Sequence, residues 1–321
     1  MTDLAPAQPF AVPGPPQPTL AGLDLGRRAA DAPPLSLSVV IPVLDAAAFL
    51  PQQLAALAEQ SWAGDWEVIV ADNGSRDGSV EVARAAAARL PRLTVVDASD
   101  RRGQAHARNV GAAAARGEAL LFIDADDVAA PGWLAALGRA LAEHPFVASR
   151  FDTARLNEPW VEEARGNPQA MGLNPYVYPP YLPHAGGCGL GIRRALHERI
   201  GGFDETLAAL EDTDYCWRLQ RLGVALRFVP DAVVHVRYRG DLRGIFRQGL
   251  FYGEHNVRIY ARYRKLDMPR LPWTAGAMRL AKLAATLPLA VTRVRRAQWV
   301  WQAGWRLGRL RGCWRYRVLA P

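Results

Sequence analysis

The chain has 321 residues, half of them hydrophobic and about a fifth charged, which suits one large domain or one domain with an appendage and excludes a fibrous or wholly disordered chain. The net charge of +8 is uneven: 19 Lys and Arg against 3 Asp and Glu lie after residue 235, so the first 235 residues are net negative. Three cysteines, none in a CxxC, exclude a disulfide framework, and neither a leader-like start nor an uncharged apolar run of about 18 residues occurs, so a cytoplasmic chain without a spanning helix is expected.

Residues 1–36 are rich in Pro, Ala and Gly without apolar period and read as a disordered lead-in. Order is expected from LSVVIPV (Leu37–Val43), a buried strand, followed by an Ala/Leu-rich helix to Gln60. Strand WEVIVAD (Trp66–Asp72), helix Gly78–Leu90, strand LTVVDA (Leu93–Ala98), helix Gln104–Arg116 and strand ALLFID (Ala119–Asp124) follow. Continuous apolar runs alternating with helical periods predict an α/β fold with a mostly parallel, Rossmann-like central sheet and helices on both faces. Ligands of such sheets bind at the C-terminal strand edge.

A helix over Pro131–His144 and a strand over Pro145–Phe151 continue the pattern, which then breaks. Residues 152–183 hold six prolines and no clear period, predicting an extended, partly mobile loop. GGCGLGI (Gly186–Ile192) restores regularity, and helices are expected after it, over Glu211–Leu222 and over Leu242–Arg264, with two strand-like runs at ALRFVP and AVVHVRY. From Trp273 the chain reads as a helical, amphipathic, Arg- and Trp-rich basic segment.

The stretch LLFIDADD (Leu120–Asp127) drives a buried strand into three carboxylates. Two like charges about 4 Å apart repel by ~4 kcal/mol at a protein-surface dielectric. Helix capping, a solvated loop or a bound cation would each account for the cluster. Hard oxygen ligands suit Mg²⁺ or Mn²⁺, and magnesium commonly completes its shell with substrate phosphates. Two further loops belong to the same edge: VADNGSRDG places Asp72 and Asn73 in a turn, and RRGQAHARNVG places Arg108 early in the next helix. Glu211 and Asp212 open an apolar-periodic helix, where acids favour the dipole, so capping and catalysis both suit them. GGCGLGI matches neither a P-loop nor a dinucleotide fingerprint, and it reads equally as a tight strand or as close backbone approach to ligand.

SVVIPVLDAAAFL, QSWAGDWEVIVADNGSRDG, GQAHARNVGAAAARGEALLFIDADD, GGFDE and LEDTDYCWRLQRLG resemble, in order and spacing, the motifs of the family 2 glycosyltransferases over about residues 37–238. The resemblance implies a GT-A fold, a nucleotide-sugar donor, a divalent cation and inversion at the anomeric carbon. It implies a catalytic domain over 37–240, nucleotide-binding to about 130 and acceptor-binding after it, and a C-terminal extension over 241–321. Pro42 and Asp45 match the first nucleotide-contacting loop, with Asp72 at the base, Asn73 beside it and Arg108 near the nucleotide. Asp126 matches the metal-binding member of the Asp-x-Asp pair and Asp124 a ribose contact. Glu211 and Asp212 match the Glu-Asp pair, with Asp212 as general base. His235 matches a histidine of the metal or diphosphate site. Gly186, Gly187 and Asp204 fall in the acceptor region.

The first loop reads Pro42-Val43-Leu44-Asp45 where the family commonly has Pro-x-Tyr-Asn, and Asn73 replaces a common second Asp. A stacking surface for the base is therefore missing, and UDP-, GDP- and dTDP-sugars all stay open. The acceptor implied is a glycan or a lipid-linked hydroxyl. The basic segment suits packing on the domain or peripheral attachment to an anionic membrane at the inner face of the plasma membrane. No reader motif for nucleic acid accompanies it. The rival enzyme is a sugar-phosphate nucleotidyltransferase, which wants a glycine-rich signature and a basic residue in the first loop; VIPVLDAAAF has neither. A non-catalytic nucleotide-sugar-binding module on the same fold is the third reading.

Overall fold

The structure, a computed structural model, describes residues 19–29 and 31–320. It runs β1 (Leu37–Val43), α1 (Leu50–Ala58), β2 (Trp66–Asp72), α2 (Ser79–Ala86), β3 (Leu93–Asp97), α3 (Gln104–Ala114) and β4 (Ala119–Phe122). Then come β5 (Val128–Ala129), α4 (Trp133–Glu143), β6 (Phe146–Asp152), α5 (Pro159–Arg165), β7 (Asn174–Val177), β8 (Pro180–His184) and β9 (Leu190–Arg193). The chain continues through α6 (Arg194–Arg199), α7 (Glu211–Arg221), β10 (Arg227–His235), α8 (Leu242–Tyr263), α9 (Trp273–Thr286) and α10 (Arg293–Tyr316).

Eight strands form one sheet in the order β3-β2-β1-β4-β9-β6-β10-β5. It is the expected mostly parallel sheet, except that β9 runs antiparallel to both its neighbours and β5 antiparallel to β10. The two-residue side-chain period of a strand sorts the core. Leu37, Val39 and Ile41 of β1 point to the face covered by Leu50, Leu54 and Leu57 of α1 and by Trp133 and Leu137 of α4. Val40, with Ile69 and Phe122, points to the opposite face, against α3, α6 and α7. The two strand-like runs expected after α7 form one strand, β10, with a register shift between Val229 and Val233.

Two expectations need correcting. The lead-in lies outside the described residues over 1–18 and at 30, but the rest of it is packed: Leu20, Leu23 and Leu25 sit against the core, and the Arg28 amide donates to the Ala142 carbonyl at 2.7 Å. The segment 152–183 is a built wall, with α5 followed by the β7–β8 hairpin. Its prolines are compatible with a two-stranded ribbon because every strand there is an edge.

The C-terminal extension joins the body through a third core of Trp217, Val257, Tyr260 and Tyr263, with the hairpin tyrosines Tyr176 and Tyr181 against it. Arg262 of α8 clamps this joint, reaching Asp214 at 2.7 Å and Asp204 at 2.6 Å. Helices α8 and α10 lie parallel and touch backbone to backbone. A Cβ on Gly253 would stand 2.2 Å from the Trp305 carbonyl, and one on Gly308 2.1 Å from the Leu250 carbonyl. The tail is therefore not one amphipathic surface helix: α10 packs inward and buries Arg306 and Arg309, whereas α9 buries only Gly276. Among the described residues no helix is long and apolar enough to cross a membrane.

Candidate active site

The C-terminal ends of β1, β2 and β4 meet at one edge of the sheet, and their loops are stitched together by short polar side chains. Asp45 accepts from the Arg76 amide at 2.8 Å, Asp77 from the Ala47 amide at 2.8 Å, and Asp72 from the Ser75 amide at 3.1 Å. Asn73 is buried and fully engaged. Its amide nitrogen donates to the Ala98 and Arg101 carbonyls at 2.5 and 2.7 Å, and its oxygen accepts from Gly103 at 2.8 Å, which fixes the start of α3.

From that start α3 carries Arg108 inward to the centre of the site. Its guanidinium bridges Asp124 after β4 and Glu211 at the first turn of α7, each at 2.8 Å. The side chain is 2 % exposed. Burial works against its charge, but Asp124, Glu211 and Asp212 more than offset this and hold it protonated. Gln104 also donates to Asp124, at 3.0 Å. Burial and the Asp212 charge push Glu211 up to about 7, with Arg108 pulling the other way.

Gly186 and Gly187, expected in the acceptor region, line the larger cavity, and Gly187 also makes room for this cation. A Cβ on Gly187 would stand 2.4 Å from an Arg108 nitrogen, so only glycine leaves room for the guanidinium. The Gly187 amide donates to one oxygen of Asp212 at 2.9 Å, and the Thr213 amide donates to the other at 2.6 Å. Gly186 donates to Gln169 at 3.0 Å.

Asp126 and Asp127 follow Asp124 into β5. Asp127 accepts from the Arg237 amide at 2.9 Å and takes the Cys188 thiol. Burial pushes that thiol far up, and Asp124, Asp127 and Cys188 each offer a ligand atom within 4.8 Å of the others. No neighbouring side chain or amide among the described residues donates to the Asp126 carboxylate. Burial and then the Asp124 charge raise it, against Arg239 and Arg237. An all-oxygen, mutually repelling pair with one free carboxylate fits a hard divalent cation.

Two cavities open at this edge. The smaller, about 330 Å³, is lined by Pro42, Asp45, Phe49, Asn73 and Gly103. The larger, about 650 Å³, runs past Gly186, Gly187, Glu211 and Asp212 to the helical extension. Gln104, Asp124, Asp126 and Arg239 line both. Of the residues expected from sequence, Asp72 lines neither cavity. Asp204 lies away from them too, paired with Arg262. His235 lines neither cavity, and its imidazole bonds Asp152 at 2.5 Å and Arg155 at 3.1 Å. Sequence reading missed Arg239 at the shared wall, and Phe49, which offers an aromatic ring near the absent loop tyrosine.

Comparison with known proteins completes the site's description. The family model "Glycosyl transferase family 2" matches residues 38–201. A "Pre-mycofactocin glycosyltransferase" of Mycobacterium tuberculosis is 30% identical over 249 residues, 75% of this chain and 51% of the relative. The "O-antigen biosynthesis protein RfbC" of Myxococcus xanthus is 30% identical over 210 residues, 63% of this chain and 16% of that protein. The chain thus spans about half the length, or less, of these curated relatives. Among solved structures, the mannosyltransferase PcManGT from Pyrobaculum calidifontis, in complex with GDP-Man and Mn²⁺, matches over 92% of this chain and 91% of its own, with a TM-score of 0.65 at 21% identity. The fold is therefore the expected GT-A fold.

Proposed function

The chain belongs to glycosyltransferase family 2, and from that premise we propose that it transfers a sugar from a nucleotide-sugar to a hydroxyl of a glycan or lipid-linked acceptor, with inversion. The observation that carries this reading is the convergence on Arg108 of an acid from the Asp-x-Asp turn and an acid from α7, where Arg108 and Glu211 line the larger cavity and Asp124 lines both. In this reading the nucleotide occupies the smaller cavity and the acceptor enters the larger one.

Asp212 is the general base. Two amide hydrogen bonds orient its carboxylate, and a carboxylate with about four acceptor positions keeps others for a hydroxyl in the cavity. It takes the proton as the acceptor oxygen bonds to the anomeric carbon. The bond to the nucleoside diphosphate breaks on the opposite face and its electron pair leaves with the phosphate oxygen. One base and no second carboxylate nucleophile suit a single displacement. Glu211 is not a second base here; paired with Arg108, it positions the guanidinium and hence Asp124. Asp126 is the residue that would hold Mg²⁺ or Mn²⁺, which when bound neutralises charge on the departing diphosphate. Arg239 adds a fixed positive charge at the same wall.

The acceptor is presented, in this reading, at an anionic lipid surface. After Asp267 the chain has eleven basic residues and no acid. Along α9 and the turn after it, Trp273, Met278, Leu287, Leu289 and Val291 are all exposed. Cations beside exposed apolar side chains suit an interfacial helix.

A hydrolysis screen of UDP-, GDP- and dTDP-sugars with and without each metal tests the transferase reading. Release of nucleoside diphosphate from one of them supports it. Release of pyrophosphate from a nucleoside triphosphate and a sugar phosphate would replace it with nucleotidyl transfer.

A further inference from the structure

Resting on that transferase reading, we infer that the far end of the larger cavity is a subsite for an oxyanion, a carboxylate or phosphate that the acceptor carries away from its reacting hydroxyl. The group that would receive it is Arg165, at the C-terminal end of α5. Its guanidinium lies 3.4 Å from the centre of the Trp301 ring of α10 and 5.6 Å from that of Tyr238. Among the described residues it makes one hydrogen bond, a long one of 3.4 Å to Gln248 of α8, and its Nε is buried without a partner there. No carboxylate among the described residues pairs with it. Glu162, on the same helix, is taken by Thr153 at 3.0 Å, and Glu158 faces Arg293 at 3.4 Å.

Burial pulls Arg165 down to about 10, so it stays charged at neutral pH. A guanidinium offers five donors, and one that stacks on an aromatic ring still presents its edge. A cation desolvated without a counter-ion is costly, and an incoming anion relieves that cost. Arg108, more deeply buried, already has two carboxylates. The contrast between the two arginines distinguishes a satisfied site from a receptive one.

The cavity is thus bipolar. Glu211 and Asp212 line it from the start of α7, and Arg165 lines it where α5 meets α8 and α10. Tyr252 lines the same cavity and feels the charges of Asp212, Glu211 and Asp124 as well as that of Arg165. The donor's diphosphate does not need Arg165, because Arg239 and Gln104 line the wall shared with the nucleotide cavity. An acceptor with an anion at one end and a hydroxyl at the other would be oriented by this field, its ring against Trp301, Trp305 and Tyr252.

The test is calorimetric, on the full chain with nucleoside diphosphate and Mn²⁺ present, using methyl β-glucoside, methyl β-glucuronide and methyl β-glucoside 6-phosphate as probes. At least one charged probe is expected to bind tenfold or more tighter than the neutral one, and the two charged arms separate carboxylate from phosphate. Arg165→Gln should erase that preference while Arg165→Lys retains part of it, both melting within a few degrees of the parent. Three indistinguishable Kd values in the parent, or a preference that survives Arg165→Gln, would overturn the inference. A failure of every nucleotide-sugar to release nucleoside diphosphate would instead sink the transferase reading, and it is read in a separate assay.

Discussion

The two ends of the larger cavity are built by different means. At the acid end the groups stand at strand termini and in the first turns of helices, and Arg108 is matched by Asp124 and Glu211 and Asp212 by two amides. At the Arg165 end the wall comes from helices held together by bare backbone contact between α8 and α10, and the cation has no acid. A matched, sheet-borne end suits chemistry that tolerates little displacement. An unmatched, helix-borne end suits recognition, because what completes it arrives with the ligand.

The sharpest way to break this comparison is at Asp212. Asp212→Asn should lower transfer about 10³-fold while the Kd for nucleoside diphosphate stays within a few-fold; unchanged turnover would remove Asp212 from its role. Next in size is Arg108→Met, which strands two acids in the interior and should cost about 3–5 kcal/mol in urea unfolding. Adding Glu211→Gln should recover part of that loss, and no recovery would mean the pair is not coupled.

A pH experiment probes the back of the acid end. His197 is buried and bonded to the Tyr215 hydroxyl at 2.8 Å, and burial holds it down at about 4. The folded protein keeps it neutral where the unfolded chain protonates it, so stability is full above pH ~6.5, falls as pH drops, and stops falling near the folded value. The loss should be about 3 kcal/mol. Urea curves at pH 7 and 4.5 measure it, and in His197→Gln the pH difference should shrink by that amount.

Smaller effects belong to the helical end. Gly308→Ala puts a methyl into the Leu250 carbonyl and should cost about 1–3 kcal/mol, read as a lower melting temperature. Least costly to the fold is Trp273→Ser with Met278→Ser on α9. Two exposed apolar groups removed should cut flotation with anionic liposomes about tenfold and leave the melting temperature alone; equal flotation would discard the lipid surface.

The unequal construction also explains what could be read beforehand. β1, β2 and β4 are continuous apolar runs, and their order with the intervening helices dictates a parallel sheet and its ligand edge. The direction of β9 had no such signal, since the four residues LGIR do not say which way the strand runs. Asp124, Asp126, Glu211 and Asp212 announced themselves as charges at element ends. The bridge that joins two of them, Arg108, depends on contacts 16 and 103 residues apart, which no local period encodes. Asp204 and His235 carried the right chemistry, but each is drawn to a nearer partner, Arg262 or Asp152. Arg165 sat in a proline-rich stretch read as a loop, and Trp301 in a tail that suited packing and membrane attachment alike. One signal was available: Gly249 and Gly253, with Gly304, Gly308 and Gly312, recur at four-residue spacing in two helices and foretell a close crossing.

The parallel seating of α10 on α8 also sets a timetable. Ribosomes lengthen a chain by about 5–20 residues per second, and N-terminal parts fold first. Trp301 and Trp305 are translated more than a hundred residues after Asp124, and only with them is the far wall laid down. A nascent chain arrested at residue 290 should therefore bind nucleoside diphosphate yet ignore acceptor probes.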